Sequence, residues 1–230
     1  MKAKMKKIAA SQASLMEPAN GNSRADFVYK ALLTALKKGQ YTTGQRIREE
    51  EVAQHLGVSR TPVREALSRL KSRGLLEIAA GGLVVVRLSR AQIIELYTMR
   101  EILEGSAARL AAQYATPSEI ATLWHIERSF ETKFDDQLQL ARINRELHEG
   151  IYEAARNRYL VRSLIELNES LALLPNPTFS FEGRAKLAAQ EHGKIISAVE
   201  KRNADLAELL AREHIRMAQE VRLTMMFDEH

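Results

Sequence analysis

The chain has 230 residues, of which 45% are hydrophobic and 27% charged; its formal net charge is +5 and it has no cysteine. That length suits two domains with separate cores, and without cysteine there are no disulfides and no thiol chemistry. No apolar run approaches the roughly 20 residues of a membrane span, so the expectation is a cytoplasmic protein without membrane contact. The charge is unevenly spread: residues 1–88 hold 16 Lys/Arg against 7 Asp/Glu, residues 89–230 hold 18 against 22. A net of +9 beside −4 suggests that only the N-terminal part faces phosphates.

In chain order, residues 1–22 carry Lys2, Lys4, Lys6 and Lys7 without the apolar core of a signal peptide, and read as a disordered basic arm. Phe27, Val28, Ala31, Leu32, Leu33 and Leu36 form the stripe of a first helix, ended by Lys37-Lys38-Gly39. After Gly44, a short helix over 49–56 turns Val52, Ala53 and Leu56 inward. Gly57 can take the left-handed turn that closes it, and Ser59 or Thr61 can cap the next helix, with Pro62 in its first turn. There Val63, Ala66, Leu67 and Leu70 make one apolar stripe. Arg60, Arg64, Ser68 and Lys71 lie on other faces.

Helix, glycine turn, then a helix with hydroxyls and arginines at its start make a helix-turn-helix, whose second helix fits the DNA major groove. The plainer reading is an amphipathic helix with a solvated basic face. Gly81-Gly82 followed by Val84-Val85-Val86 predicts a hairpin, or wing, over 75–88. DNA contacts are expected from Ser59, Arg60, Thr61, Arg64 and Arg69 and at the wing tip, Gly81 and Gly82. Arg60 and Arg64 would read base edges, while Ser59 and Thr61 would meet phosphate at the helix N-terminus.

The run Ser59-Arg60-Thr61-Pro62-Val63-Arg64-Glu65-Ala66-Leu67, with Gly44, Gly57 and Gly74 at turns, resembles the winged helix of the GntR family of bacterial transcription regulators. The remainder resembles the helical effector domain of its FadR-like subfamily, the FCD type. The expected fold is therefore mainly α: a winged helix over 23–88 with a small β-wing, then an all-helical effector-binding and dimerisation domain over 89–230. That second part reads as six helices, about 90–115, 117–137, 138–156, 158–174, 182–202 and 204–226. Ser89-Arg90-Ala91-Gln92 and Thr116-Pro117-Ser118-Glu119 are capping boxes that start the first two.

On the first of these helices Leu96, Met99, Leu103, Ala107 and Leu110 share a side. Arg100 and Glu104, four apart, read on spacing alone as a surface ion pair. The resemblance implies instead that Arg100 faces a pocket and holds an effector carboxylate. Trp124 reads as a core or dimer contact, His55 and His125 as surface residues.

Asn144 and His148 project from one helical face, His192 lies on a later helix and His214 on the last. Spacing leaves open whether these converge on a zinc or nickel ion or are scattered surface and core residues. The resemblance implies convergence, because many FCD-type domains bind a metal through Asp or Asn, a histidine four residues later, and two histidines on the last two helices. Asn144, His148, His192 and His214 match those positions. Asn in place of the commoner Asp removes a negative charge, which weakens metal binding and invites an organic acid to restore the balance.

The function this implies is a homodimeric regulator, a repressor by expectation, in the bacterial cytoplasm. It reads a palindromic operator in double-stranded DNA and responds to a small carboxylate held with a divalent metal by Arg100, Asn144, His148, His192 and His214. One alternative keeps the regulator with a metal-free pocket. Another is a metal-dependent enzyme fused to a DNA-binding module, but the Glu-x-x-His pattern of di-iron bundles is missing, since positions 145, 189 and 211 are Arg, Ala and Ala.

Overall fold

The computed structural model describes residues 21–174 and 176–227; the basic arm expected over 1–22 lies, up to residue 20, outside the described residues. The chain divides into two compact units, one running to Arg87 and taking in the segment from Glu169, the other holding Leu88–Asn168 and the residues from Asn176 onward.

In the first unit, α1 (Gly21–Lys37) packs mainly on α3 (Arg60–Ser72), with α2 (Glu49–Leu56) between them in sequence. The expected stripe of α1 is buried at Val28, Leu32 and Leu36, whereas Phe27 is exposed and Tyr29 is buried in its place. Gly57 takes the left-handed turn after α2, with φ 66°. Val63, Ala66, Leu67 and Leu70 of α3 are all buried, so every position of its predicted stripe faces the core. The wing is β1 (Leu76–Ala79) antiparallel to β2 (Gly82–Val85), pairing Leu76 with Val85 and Ala79 with Gly82. Its other edge is used as well. Gly44 N–H donates to Val85 and Ile47 N–H to Leu83, so the turn before α2 pairs with β2 and half satisfies that edge.

The second unit is a bundle of α4 (Arg90–Tyr114), α5 (Pro117–Glu131), α6 (Gln137–Ala154), α7 (Arg158–Glu169), α8 (Arg184–Glu200) and α9 (Ala204–Phe227). Both capping boxes form, each with the side chain and backbone bonds reciprocated. The second helix stops at Glu131, before the expected 137, and the third restarts at Asp136, whose carboxylate accepts from Gln139 N–H. The fourth ends at Glu169, and the 3-10 turn that follows it over Ser170–Leu173 belongs to the first unit. Asn157 and Asn203 act as caps, each side-chain oxygen accepting a backbone N–H of the following helix.

Small residues let α4 and α9 approach closely. Ala107, Ala108, Ala111 and Ala112 are fully buried, and a Cβ added at Gly105 would come within 2.7 Å of the Arg212 side chain. The main core joins these to Leu123, Leu147, Ile151, Leu164, Ile196 and Val199. A second cluster forms around Phe130, Leu140 and Ile143. Of the expected inward side of α4, Leu96 and Ala107 are buried and Leu103 and Leu110 pack on the core, while Met99 is exposed and the buried face also takes in Ile93, Tyr97, Arg100 and Glu104. Two charges expected at the surface therefore lie on the buried face.

Candidate functional site

The exposed start of α3 carries the first set of candidate residues. Ser59 stands at the N-cap in extended conformation and makes no side-chain cap bond. Ser59, Arg60, Thr61 and Arg64 are all exposed. Neither arginine is loose, because Glu49 of α2 accepts from Arg64 Nε at 2.8 Å and from Arg60 Nη2 at 3.1 Å. Glu50 adds an oxygen 3.0 Å from Arg60. The hydrogen bonds from Arg64 and then Arg60 hold the Glu49 carboxyl below the ordinary carboxylate range. Arg69 is engaged elsewhere: it pairs with Asp26 at 2.6 Å and its guanidinium lies 3.9 Å over the Tyr29 ring. It therefore braces α3 against α1. At the wing tip Gly81 and Gly82 take φ 103° and 132°, and a Cβ on Gly82 would lie 3.1 Å from Arg46 Nε. Neither Glu49 nor Arg46 is identified from the sequence, since their partners are fixed by the fold and follow no helical spacing.

The three histidines do converge. His148 of α6, His192 of α8 and His214 of α9 are 8%, 1% and 4% exposed, and one nitrogen from each lies within 4.8 Å of the others. Helical periodicity puts them inward, for their neighbours Leu147, Ile151, Ile195, Ile196, Ala211 and Ile215 are core residues. Each ring turns Nδ1 toward a carboxylate. The separations are 2.6 Å for His148 and Glu104, 3.0 Å for His192 and Glu127, and 2.6 Å for His214 and Glu191. His148 Nε2 and His192 Nε2 are buried without a hydrogen-bond partner among the described residues, and so is Asn144 Oδ1, one turn before His148. The Phe130 and His192 rings meet in a T-shaped arrangement with centroids 5.3 Å apart.

Charge within this cluster is strongly redistributed. Burial opposes ionisation of Glu104, but the guanidinium of Arg100, followed by His148, overcomes it and holds the carboxyl well below its usual range. Arg100 bonds Glu104 Oε1 through Nε at 2.9 Å and Nη2 at 2.8 Å. Both side chains are buried, so the surface-pair reading of this i, i+4 couple is corrected. Burial, with the charge of Glu131 nearby, pushes Glu127 up to about 8. Burial, and then the repulsion that would arise between clustered imidazoliums and from Arg184, push His192 and His214 well below their ordinary value, keeping them neutral.

Arg184, at the first position of α8, borders the cluster as well. It is 3% exposed, pairs through Nη2 with Glu191 at 2.8 Å and lies 3.4 Å from His214 Nδ1. Its Nε and Nη1 are buried without a partner among the described residues. The sequence singles out Glu104 only as the neighbour of Arg100 four residues away, and Glu191 only by its adjacency to His192; nothing local marks Arg184 or Glu127. Trp124 Nε1 reaches Glu200 at 3.3 Å while its ring packs on the main core, and His125 is exposed.

A winged helix joined to a helical bundle with a buried histidine cluster defines a class, the two-domain bacterial transcription regulator. The chain belongs to the GntR family: residues 24–86 match the bacterial regulatory proteins of the gntR family and residues 95–217 match the FCD domain. It is 32% identical to the Nta operon transcriptional regulator of Aminobacter aminovorans, over 76% of this chain and 83% of that one. It is 28% identical to the Glc operon transcriptional activator of Escherichia coli K12, over 79% and 80%. Among solved structures it superposes on E. coli McbR/YncC with TM-score 0.79 at 22% identity, covering 88% of this chain and 98% of that one. That likeness speaks for the fold alone.

Proposed function

We propose that this GntR-family regulator binds a palindromic operator as a homodimer and is switched by a small carboxylate held, together with a divalent metal, in its helical domain. It works in the cytoplasm as a repressor that the effector releases from DNA. One relative is named as an activator; in a reporter assay this chain is expected to repress without effector and to lose that repression when effector is added.

One observation carries the metal. Three buried histidines keep Nδ1 on carboxylates while Nε2 of two of them, and Asn144 Oδ1, have no partner among the described residues. Orphaned buried acceptors are costly, and a carboxylate behind each imidazole is the usual support of a metal-ligating histidine. The residues present therefore fit zinc or nickel, with His148, His192 and His214 supplying nitrogen and Asn144 oxygen. Bound there, the ion would supply a fixed positive charge to which an organic anion can ligate. Neutral histidines are the form that ligation needs, and a nearby cation favours ionised Glu127. Arg100 fixes Glu104, which orients His148.

Reading of the operator falls to Arg60 and Arg64 at the base edges, with Ser59 and Thr61 at phosphate and the wing tip at Gly81 and Gly82 close to the duplex. Arg69, tied to Asp26 and Tyr29, positions the helix. An effector must favour one dimer conformation over another to change DNA affinity. The test is selection of bound duplexes from a random pool by purified protein. An enriched inverted repeat, with binding changed by zinc plus a carboxylate, is the expected result; no enrichment would contradict the reading.

A further inference from the structure

Resting on the reading of the helical domain as a carboxylate sensor, we infer that Arg184 is the side chain that grips the effector's carboxylate. The family resemblance implies Arg100 for that role. In the fold, however, Arg100 commits Nε and Nη2 to one oxygen of Glu104, and that pair orients His148. Its charge is balanced inside the protein.

Arg184 is differently placed. It is 3% exposed, with a single guanidinium nitrogen engaged by Glu191. Nε and Nη1 remain buried without a partner among the described residues. Burying guanidinium N–H donors unpaired is costly, since they lose water and gain nothing. A site of this kind is stable only when an acceptor joins it, and an anionic oxygen is the strongest acceptor for a guanidinium. The location fits the same purpose: Nη2 lies 3.4 Å from His214 Nδ1, and the His214 and His192 rings are 4.8 Å apart. An organic acid small enough to touch the cluster thus meets Arg184 at its rim. Gly183, at φ 75°, turns the chain immediately before this arginine and starts α8 at it, so the guanidinium is carried by a helix terminus and not by a loose loop.

The ligand class is a small, flexible mono- or dicarboxylate. One carboxylate would lie on the Arg184 donors, and a second oxygen, from hydroxyl or carboxylate, would reach the histidine side. Glu191 is the built-in competitor. It already holds Arg184 Nη2 at 2.8 Å, so an incoming carboxylate contends with it for the same guanidinium.

The test uses the full-length, zinc-loaded protein titrated calorimetrically with acetate, lactate and succinate, which chelate zinc weakly. The parent is expected to bind at least one of them saturably. Arg184→Gln should weaken that binding by about tenfold or more, the scale of one charge-assisted bond, with zinc content unchanged, and Arg184→Lys should recover part of the loss. Equal affinity in Arg184→Gln and parent would overturn the inference and leave the sensor reading standing. Parallel loss of zinc would also overturn it, by making Arg184 a support of the metal. No saturable binding by the parent would remove both. Should Arg184→Gln fail to fold, the Nε–H resonance of Arg184 in the parent, assigned with Arg184→Lys, must move on adding succinate; a fixed resonance would overturn the assignment.

Discussion

Glu49 governs how much of the recognition helix's positive charge is free to meet DNA. It accepts from both Arg60 and Arg64, so on the proposed reading each arginine would leave it, or share it, to reach a base edge. Replacing it as Glu49→Gln removes one negative charge beside the phosphates and weakens both tethers. Filter binding to random-sequence DNA at several salt concentrations should then show tighter binding and a steeper salt slope; unchanged affinity and slope would contradict this restraint. Arg64→Ala should act in the opposite sense and on specificity. Discrimination between operator and random duplex should fall by about 1–3 kcal/mol, the worth of a bidentate arginine–guanine contact, while salt-sensitive background binding persists. At this scale the sequence is legible wherever partners are local. Arg60 and Arg64 stand in a contiguous motif, but the carboxylates behind the histidines do not. Glu127 lies 65 positions from His192, and no periodicity joins residues on different helices.

At the scale of elements, the helix starts were readable and some of the ends were not. Ser89 with Gln92, and Thr116 with Glu119, satisfy their own N–H groups within four residues, so the sequence contains the whole interaction. The end of α5 has no such signal. Its apolar positions continue to Phe134, which packs partly buried on the Phe130 cluster from beyond the helix end, and only Asp136, capping the next helix, marks the break. Thr116→Ala should cost about 1 kcal/mol of stability, the usual worth of an N-cap hydroxyl, readable as a lower urea midpoint for the helical unit. Glu119 adds a pH dependence to the same cap. The Thr116 N–H, helped by Arg156, holds its carboxyl below the ordinary value in the folded protein. A depressed carboxyl contributes stability that is present above its unfolded pKa, roughly 4.3, and is lost as pH falls through the folded pKa. The melting-temperature gap between parent and Glu119→Gln should thus be open at pH 7 and close on acidification toward pH 3. A gap that widened in acid would contradict the cap's geometry.

For the whole molecule, the division of charge mirrors a division of labour. The basic N-terminal part holds the winged helix, and the mildly acidic remainder holds the buried cluster. No helix among the described residues is long and apolar enough to cross a membrane. A metal that binds only the folded bundle should raise its melting temperature with concentration. In the proposed function the helical domain is built around a metal ion, and elemental analysis of purified, zinc-reloaded and dialysed protein beside His148→Ala and His192→Ala distinguishes that arrangement from a metal-free pocket. Close to one metal ion per chain in the parent and almost none in either variant is the predicted result. A parent that retains no metal, or variants that retain as much as the parent, would contradict it and leave the histidines as direct contacts to an organic ligand.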